Sequence, residues 1–399
     1  MIDTSVPVVV IYRGGYGAVS IARTLGRLGV PVYLVAQEGL FTPGSSSRYW
    51  RSRTRWDFSR PEDESVAFLL DVGARLQNTH GARPILLTLA DWVAIFIERN
   101  SHLLQEQFVF PQPVQPVIRS LANKWEMHLL ANDHGIPTPP TACPVSRVDV
   151  EEWLETSRFP IVMKAADPFL EDPPAMRITY SRRELMDEVE RDAARGPLNF
   201  VLQEYIPGDV DTVWMCNGYF GRRPEHTVIF TGKKLRQVSP TGIASLAVCL
   251  PNETVSAQTR DFMEGVGYQG CVGIGYRYDS RDGLYKLLDV NARVSGVFRL
   301  FAGTNEMDVV RVCYLDLTGQ RAPATALEAG RKWMLEDDVI AALGAGRNGR
   351  HSFSEWMRSL RGVRELHWIA ADDPAPVFAW LSNELRRRAL AGVKRIANR

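Results

Sequence analysis

The apolar positions near the start of the chain fall into two unbroken runs with a helical stretch between them. Val8 to Tyr12 is continuous, as expected of a strand buried on both faces, and Val30 to Val35 is a second such run. Between them, in RGGYGAVSIARTLGRLG, residues Ala18, Ile21, Ala22, Leu25 and Leu28 recur at helical spacing. The segment therefore reads as strand, glycine-rich turn, helix, strand. Ser20 stands where a third glycine would complete a dinucleotide fingerprint, and the second strand runs into Ala36 and Gln37 instead of an acid. Tight packing of strand against helix is the preferred use of this turn. A further strand, Pro84 to Leu89, delivers Asp91 to a carboxyl end, where open α/β sheets keep their ligands; the same residue also suits a helix N-cap.

The proline-rich stretch FPQPVQPV, residues 110–117, closes this unit. In NKWEMHLLANDHG the pattern predicts a helix with Asn123 as N-cap, Trp125, Leu129 and Leu130 on its apolar face and Gly135 as its stop. Strands follow: FPIVMKAAD carrying Lys164, FVLQEYIPGDVDTVW with an acidic turn, and EHTVIFTGKKLRQ. A final pair flanks Asp282-Gly283, a strong hairpin signal. From about residue 325 the chain reads as helical and more basic. The fold class is thus α/β in the first part and α+β in the second, with a helical C-terminal segment.

Composition adds little to this picture. The 399 residues are 45% hydrophobic and 23% charged with a formal net charge of +1 and both signs interspersed, which gives no sign of a nucleic-acid partner. Five widely spaced cysteines, without a C-x-x-C pair or histidines at ligand spacing, read as free thiols in a reducing compartment. No run reaches the roughly 18 apolar residues of a membrane span, and the apolar start reads as a first strand, not a signal peptide. The expected location is the cytoplasm.

The chemistry lies in the second part. In KLLDVNARVSG, residues Asp289, Asn291 and Arg293 alternate, which in a strand sets all three on one face. Two such oxygens, roughly 7 Å apart at Cα, suit a hard cation such as Mg²⁺, which takes one or two protein oxygens together with phosphates and water. A guanidinium beyond them would meet the same anion. A solvated strand end with a salt bridge is the other reading of this run. Lys124 and Lys164 stand beside apolar residues, where an ammonium needs an anionic partner that a polyphosphate would supply; lysines at the solvated ends of elements satisfy the same pattern. Glu204-Tyr205-Ile206-Pro207-Gly208 ends a strand at a bend whose backbone and carboxylate suit a flat base, and Asp211 lies past the turn, where it suits ribose hydroxyls.

Taken in order, NKWEMHLLANDHGIPTP, FPIVMKAA, QEYIPGDVDTV, FTGKKLRQ and YKLLDVNAR behind a βαβ unit resemble the ATP-grasp superfamily, in its carboxylate–amine ligase branch with D-aspartate ligase and relatives of carbamoyl-phosphate synthetase. The resemblance covers roughly residues 5 to 320. It implies an ATP-grasp fold with a βαβ pre-ATP-grasp domain at 1–116, a lysine-bearing small subdomain at 117–195, a large subdomain with the metal strand at 196–325 and a mostly helical segment at 326–399. It also implies that ATP, held between the two subdomains, meets Lys124 and Lys164 at its phosphates, Glu204, Tyr205 and the Ile206 backbone at its adenine, and Asp211 at its ribose. Asp289 and Asn291 would hold Mg²⁺, and Arg293, Lys233, Lys234 and Arg236 would face the transferred phosphoryl group. The implied reaction activates a small carboxylic acid as an acyl phosphate and passes it to an amine.

Two features depart from that family pattern. Gly275 occupies the place where the strand facing the metal strand usually carries an acid, and Asp279, four residues on, is too far along to replace it. The stretch AADPFLEDPPAMR holds three prolines and three acids where small residues often wrap phosphate. A nucleotide-binding regulator or assembly subunit without catalysis is therefore the alternative function, and an acid kinase that stops at the acyl phosphate is a third. At the C-terminus Arg386, Arg387, Arg388, Lys394, Arg395 and Arg399 face only Glu384 in sequence; a solvated helix face is the default reading and an anionic surface the other.

Overall fold

The structure is a computed structural model that describes residues 2–14, 16–170, 173–238, 242–337 and 353–397. Its first sheet is parallel, in the order β3-β2-β1-β4, and is formed by β1 (Val8–Tyr12), β2 (Val32–Gln37), β3 (Trp50–Trp56) and β4 (Ile85–Thr88). All of β1 is buried because both faces are covered. Val8, Val10 and Tyr12 pack with the helix Ala18–Gly26, while Val9 and Ile11 pack with Val66, Leu69 and Phe96 of the helices Glu62–His80 and Asp91–Arg99. Gly17 opens the first helix at φ 108°, and a Cβ there would lie 2.8 Å from the Cα of Gly296. The turn thus needs glycine both for its left-handed backbone and for close approach to the chain at Gly296.

The second sheet is small and antiparallel, ordered β5-β8-β6-β7, with β5 at Thr141–Ala142, β6 at Ile161–Ala165, β7 at Arg177–Thr179 and β8 at Phe200–Glu204. Ile161, Met163, Phe200 and Leu202 bury against Val150, Leu185 and Val189 of two covering helices. Strand alternation then turns Val162, Lys164 and Gln203 the other way, toward a cleft.

The third sheet has seven strands in the order β13-β12-β9-β10-β11-β14-β15. These are β9 (Val213–Phe220), β10 (Val228–Gln237), β11 (Ala244–Cys249), β12 (Gly270–Asp279), β13 (Leu284–Asn291), β14 (Lys332–Met334) and β15 (Val363–Leu366). Gly283, at φ 76°, sits in the short connection between β12 and β13, as the Asp-Gly signal predicts. The segment after 325, read as helical, also supplies β14 and β15; these strands are too short to show an alternating pattern. The helix Lys124–Asp133 is capped by Asn123, whose side chain accepts from the N–H groups of Trp125 and Glu126. Its buried face is Met127, His128 and Ala131, however, and Leu129 is exposed. Apolar spacing misplaced that face because the helix lies against β13 and the helix Ile118–Ala122.

Buried ion pairs join the parts. Arg23 donates from Nε to the Asp373 carboxylate at 2.9 Å and from its terminal nitrogens to the carbonyls of His367 and Trp368, both at 2.8 Å. Asp373 is fully buried and also accepts from Ser47 Oγ and the Arg48 N–H. Arg299 bonds Asp308 at 2.7 Å and Glu365 at 2.9 Å, and Arg331 reaches the same Glu365 at 2.7 Å. All five cysteines are free, and four of them are buried. Among the described residues no helix is long and apolar enough to cross a membrane.

The Arg23→Met variant leaves Asp373 buried without its cation and is expected to cost about 3–5 kcal/mol in urea unfolding. Adding Asp373→Leu should recover much of that loss, because the charge left behind is the source of the penalty.

Candidate active site

A cleft of about 1340 Å³ runs among the three sheets. Its floor is the face of the large sheet that carries Asp289 and Asn291 on β13, Gly273 and Gly275 on β12, and Asn217 on β9. Alternation turns Val272, Ile274 and Val290 into the core below, and Leu287 joins them because the ladder shifts register between Asp289 and Leu287.

At the centre, the Lys124 ammonium is paired with the Asp289 carboxylate. Asn291 donates from Nδ2 to the other Asp289 oxygen at 3.0 Å and to the Gly273 carbonyl at 3.3 Å. Arg293 donates to Asn291 Oδ1 at 2.8 Å and pairs with Asp91 through Nε at 3.1 Å and Nη2 at 3.3 Å. Asp91 is the first residue of its helix, behind Ala90 at the N-cap position, and its carboxylate is turned to Arg293 at the cleft. Lys164 lies across from this row and donates to Gln203 Oε1 and to the Leu288 carbonyl, both at 3.2 Å.

Burial and the nearby Lys124 push the Lys164 ammonium down to about 8, and Asp289 offsets this only in part. Burial also lowers Lys234, which donates to the Gly242 carbonyl at 2.9 Å. Burial alone would raise Asp289, but the Lys124 ammonium outweighs it and holds the carboxyl below its ordinary value. Arg13, Lys124, Lys164, Lys234, Arg277 and Arg293 line the cleft against Asp91, Glu204, Asp209 and Asp289. A net positive lining of this kind attracts a polyanion.

The other predicted residues divide. Glu204 is mostly buried and already accepts from the Arg158 N–H at 3.0 Å, with Arg281 at 3.6 Å. Tyr205 lies under the Arg277 guanidinium, 4.9 Å away. Ile206 is buried at the cleft wall, and its backbone N–H and C=O make no hydrogen bond among the described residues, which leaves them for a ligand. Asp211 is exposed and lies 3.9 Å from Lys233, whereas Asp209 lines the cleft. Lys233 sits over the Trp214 ring and Arg236 over Trp356, so of the three basic residues on β10 only Lys234 faces the cleft. The strand carries a register shift between Lys234 and Arg236, which simple alternation does not anticipate. Of the loop acids, Asp167 is neutralised by Arg119, and Glu171 and Asp172 lie outside the described residues. So do the side chains of Lys394 and Arg395, and Arg399 altogether.

The donor set fits a single Mg²⁺ held mainly by Asp289. Asn291 offers an oxygen only after its amide turns, since Oδ1 is now bound by Arg293. Gly275 faces Asp289 directly in register. A Cβ at Gly275 would meet only the Asp289 Cβ, 3.9 Å away, so packing does not require glycine there. Asp279 is wholly buried between Arg281 and Lys286, both at 2.7 Å, and supplies no ligand. No group of three or more acidic, histidine or cysteine side chains that could hold a metal occurs among the described residues.

No protein-family model matches the chain. D-aspartate ligase of Enterococcus faecium (strain Aus0004) is 25% identical over 244 residues, covering 57% of this chain and 57% of that enzyme. The chain thus spans little more than half of that relative. An L-amino acid ligase from Bacillus licheniformis superposes with a TM-score of 0.59 at 14% identity, over 82% of this chain and 78% of the other. A carboxyaminoimidazole ribonucleotide synthase from Aspergillus clavatus complexed with ATP gives 0.60 at 13% identity, over 82% and 80%. An N5-carboxyaminoimidazole ribonucleotide synthetase in an ADP complex gives 0.61 at 13%, over 82% and 81%.

Because Lys164 binds its proton less tightly folded (about 8) than at its ordinary 10.5, the unfolded chain holds more protons across that window. Stability of the free protein should therefore rise with pH from about 8 to 10.5, and Lys164→Met should remove that component in urea titrations. Nucleotide affinity should move the opposite way, falling as pH passes about 8 and the ammonium is lost, with a flat profile in Lys164→Met by calorimetry. Gly275→Ala should leave stability unchanged or raise it by about 0.5–1 kcal/mol, since it adds strand preference without a clash.

Proposed function

From its ATP-grasp fold, we propose that the chain is an ATP-dependent carboxylate–amine ligase. The observation that carries this reading is the end of β13, where alternation sets Asp289 and Asn291 on the cleft face and Arg293, in the bend just past the strand, continues the row, with Lys124 on Asp289 and Lys164 across the cleft. Phosphoryl transfer needs positioning and charge neutralisation more than covalent help, and this row supplies both.

In this reading Lys124 leaves Asp289 for the nucleotide phosphates when Asp289 takes Mg²⁺, and Lys164 meets the same phosphates from the small sheet. Mg²⁺ would supply neutralisation of phosphate charge as it accumulates. The free backbone groups of Ile206 read the adenine edge beside Tyr205 and Glu204, and Asp209 or Asp211 accepts the ribose hydroxyls. Arg293 and Lys234 face the transferred phosphoryl group; Lys233 and Arg236 act on it only from behind the strand. A carboxylate oxygen attacks the terminal phosphorus and ADP departs, leaving an acyl phosphate. The amine lone pair then forms the C–N bond as the C–O bond to phosphate breaks. Phosphate leaves with that bonding pair and one proton of the neutral amine, which has already given its ammonium proton to solvent, and the amide keeps the remaining N–H.

A second reading, a nucleotide-binding subunit without catalysis, is favoured by one observation: nothing fills the place opposite Asp289. The two readings separate by experiment. The ligase should release ADP and phosphate only with both an acid and an amine present, and Asp289→Ala should lower that turnover at least about 100-fold. No release across a broad panel of acid and amine pairs, with tight ATP binding indifferent to Mg²⁺, would instead establish the binding subunit.

A further inference from the structure

Beyond Arg293 the cleft continues under the parallel sheet, and the groups there are not used by nucleotide or metal in the reading above. Asp91, three residues past the end of β4, opens the next helix and keeps about a third of its side chain (32%) exposed. It is the one carboxylate, among the described lining residues, away from the adenine, ribose and metal positions. Asn217, on the central strand β9, is 1% exposed, and its Oδ1 has no hydrogen-bond partner among the described residues. Buried acceptors are rarely left so, and one that lines a cleft marks a place for a donor. Gly273 lies between Asn217 and Asn291 in the sheet register. A Cβ on Gly273 would come within 3.0 Å of Ser295 and 3.5 Å of the Asn217 amide, so glycine keeps this corner open.

The third group is Arg13, in the glycine-rich turn. Its guanidinium lies over the Trp92 ring at 4.7 Å and has no carboxylate partner among the described residues. Trp92 follows Asp91 directly, and Arg13, Asp91 and Trp92 all line the cleft. An ammonium brings three donors and a positive charge. Asp91 and the Asn217 oxygen offer the acceptors it needs, and Arg13 offers the fork that binds a carboxylate or phosphate.

Resting on the ligase reading, we propose that this corner is the amine subsite. It takes a primary amine bearing its own anionic group, with the ammonium on Asp91 and Asn217 Oδ1 and the anion on Arg13. The Asp91–Arg293 pair sets the order of events. When Arg293 turns to the phosphoryl group, Asp91 is left without a counter-ion, and the incoming ammonium replaces it. The amine is thus held firmly only after the acid has been engaged.

The test uses the full chain with Mg²⁺ and ATP. Hydroxylamine, a small neutral nucleophile that needs no ammonium anchor, first reports acyl phosphate formation across a panel of carboxylic acids. Amide formation from the acid that responds is then measured with α- and β-amino acids and with the matching amines that lack the carboxylate. Asp91→Asn should raise the amine KM by about 30-fold or more, the loss expected for a charge-assisted contact, and by far more than it changes hydroxamate formation. Asn217→Ala should raise the same KM by roughly fivefold, as for a neutral hydrogen bond. Arg13→Gln should erase the preference for amino acids over the matching amines. An unchanged amine KM in Asp91→Asn overturns the proposal. So does an equal fall of hydroxamate and amide, which would assign Asp91 to holding Arg293 alone. If the native protein forms no hydroxamate with any acid, the ligase reading itself fails, and the subsite assignment with it.

Discussion

Everything about the cleft follows from positive charge that the protein does not neutralise by itself. Lysines and arginines are drawn to one concavity from all three sheets, and burial makes their charged forms costly. Lys164 shows the tension most directly, with its proton loosened by burial and by Lys124. The available acids are stretched to cover the deficit: Asp289 takes Lys124 and Asp91 takes Arg293. A site in this condition is stabilised by an incoming polyanion, and the resting ion pairs are the ones such a ligand would exchange.

That arrangement needs a frame that does not yield. The N-terminal sheet and the seven-stranded sheet share one apolar core. Arg23, Arg299 and Arg331 then tie the C-terminal segment into both. The small sheet has a core of its own. Lys164 is therefore carried on a separately packed part, and Asp289 on the edge strand of the large sheet, which packs in a core of its own beside the shared one.

Much of this was legible in the sequence wherever local periodicity decides the outcome. The period-two row at Asp289, the buried first strand, the Asn123 cap and the Asp-Gly turn depend on neighbours in the chain, and pattern reveals them. Lys124 and Lys164 were legible as charges beside apolar residues. The structure was needed where distant segments meet. Asp91 meets Arg293 across two hundred residues of chain, so its sequence signal, an acid at a strand's carboxyl end, allowed a cap as readily as a site. Asn217 gave no signal at all, because an amide inside an apolar strand looks like any other satisfied polar residue until its partners are sought. Strand β10 misled because the resemblance grouped Lys233, Lys234 and Arg236, whereas alternation parts Lys233 from Lys234 and the register shift takes Arg236 off the face of Lys234. β14 and β15 were lost because strands of three and four residues carry almost no pattern.

Gly275 has a meaning that reaches past the present chemistry. Most other described glycines with neighbours around them are confined by sterics: a side chain at Gly17 or Gly232 would strike backbone. At Gly275 the space is open, although the ladder to β13 shifts register just after it. Packing therefore does not dictate glycine at this position. A carboxylate there would face Asp289 across the ladder without any repair of the core. The number of acids on this face is thus set by the chemistry of the cleft and not by what the scaffold permits.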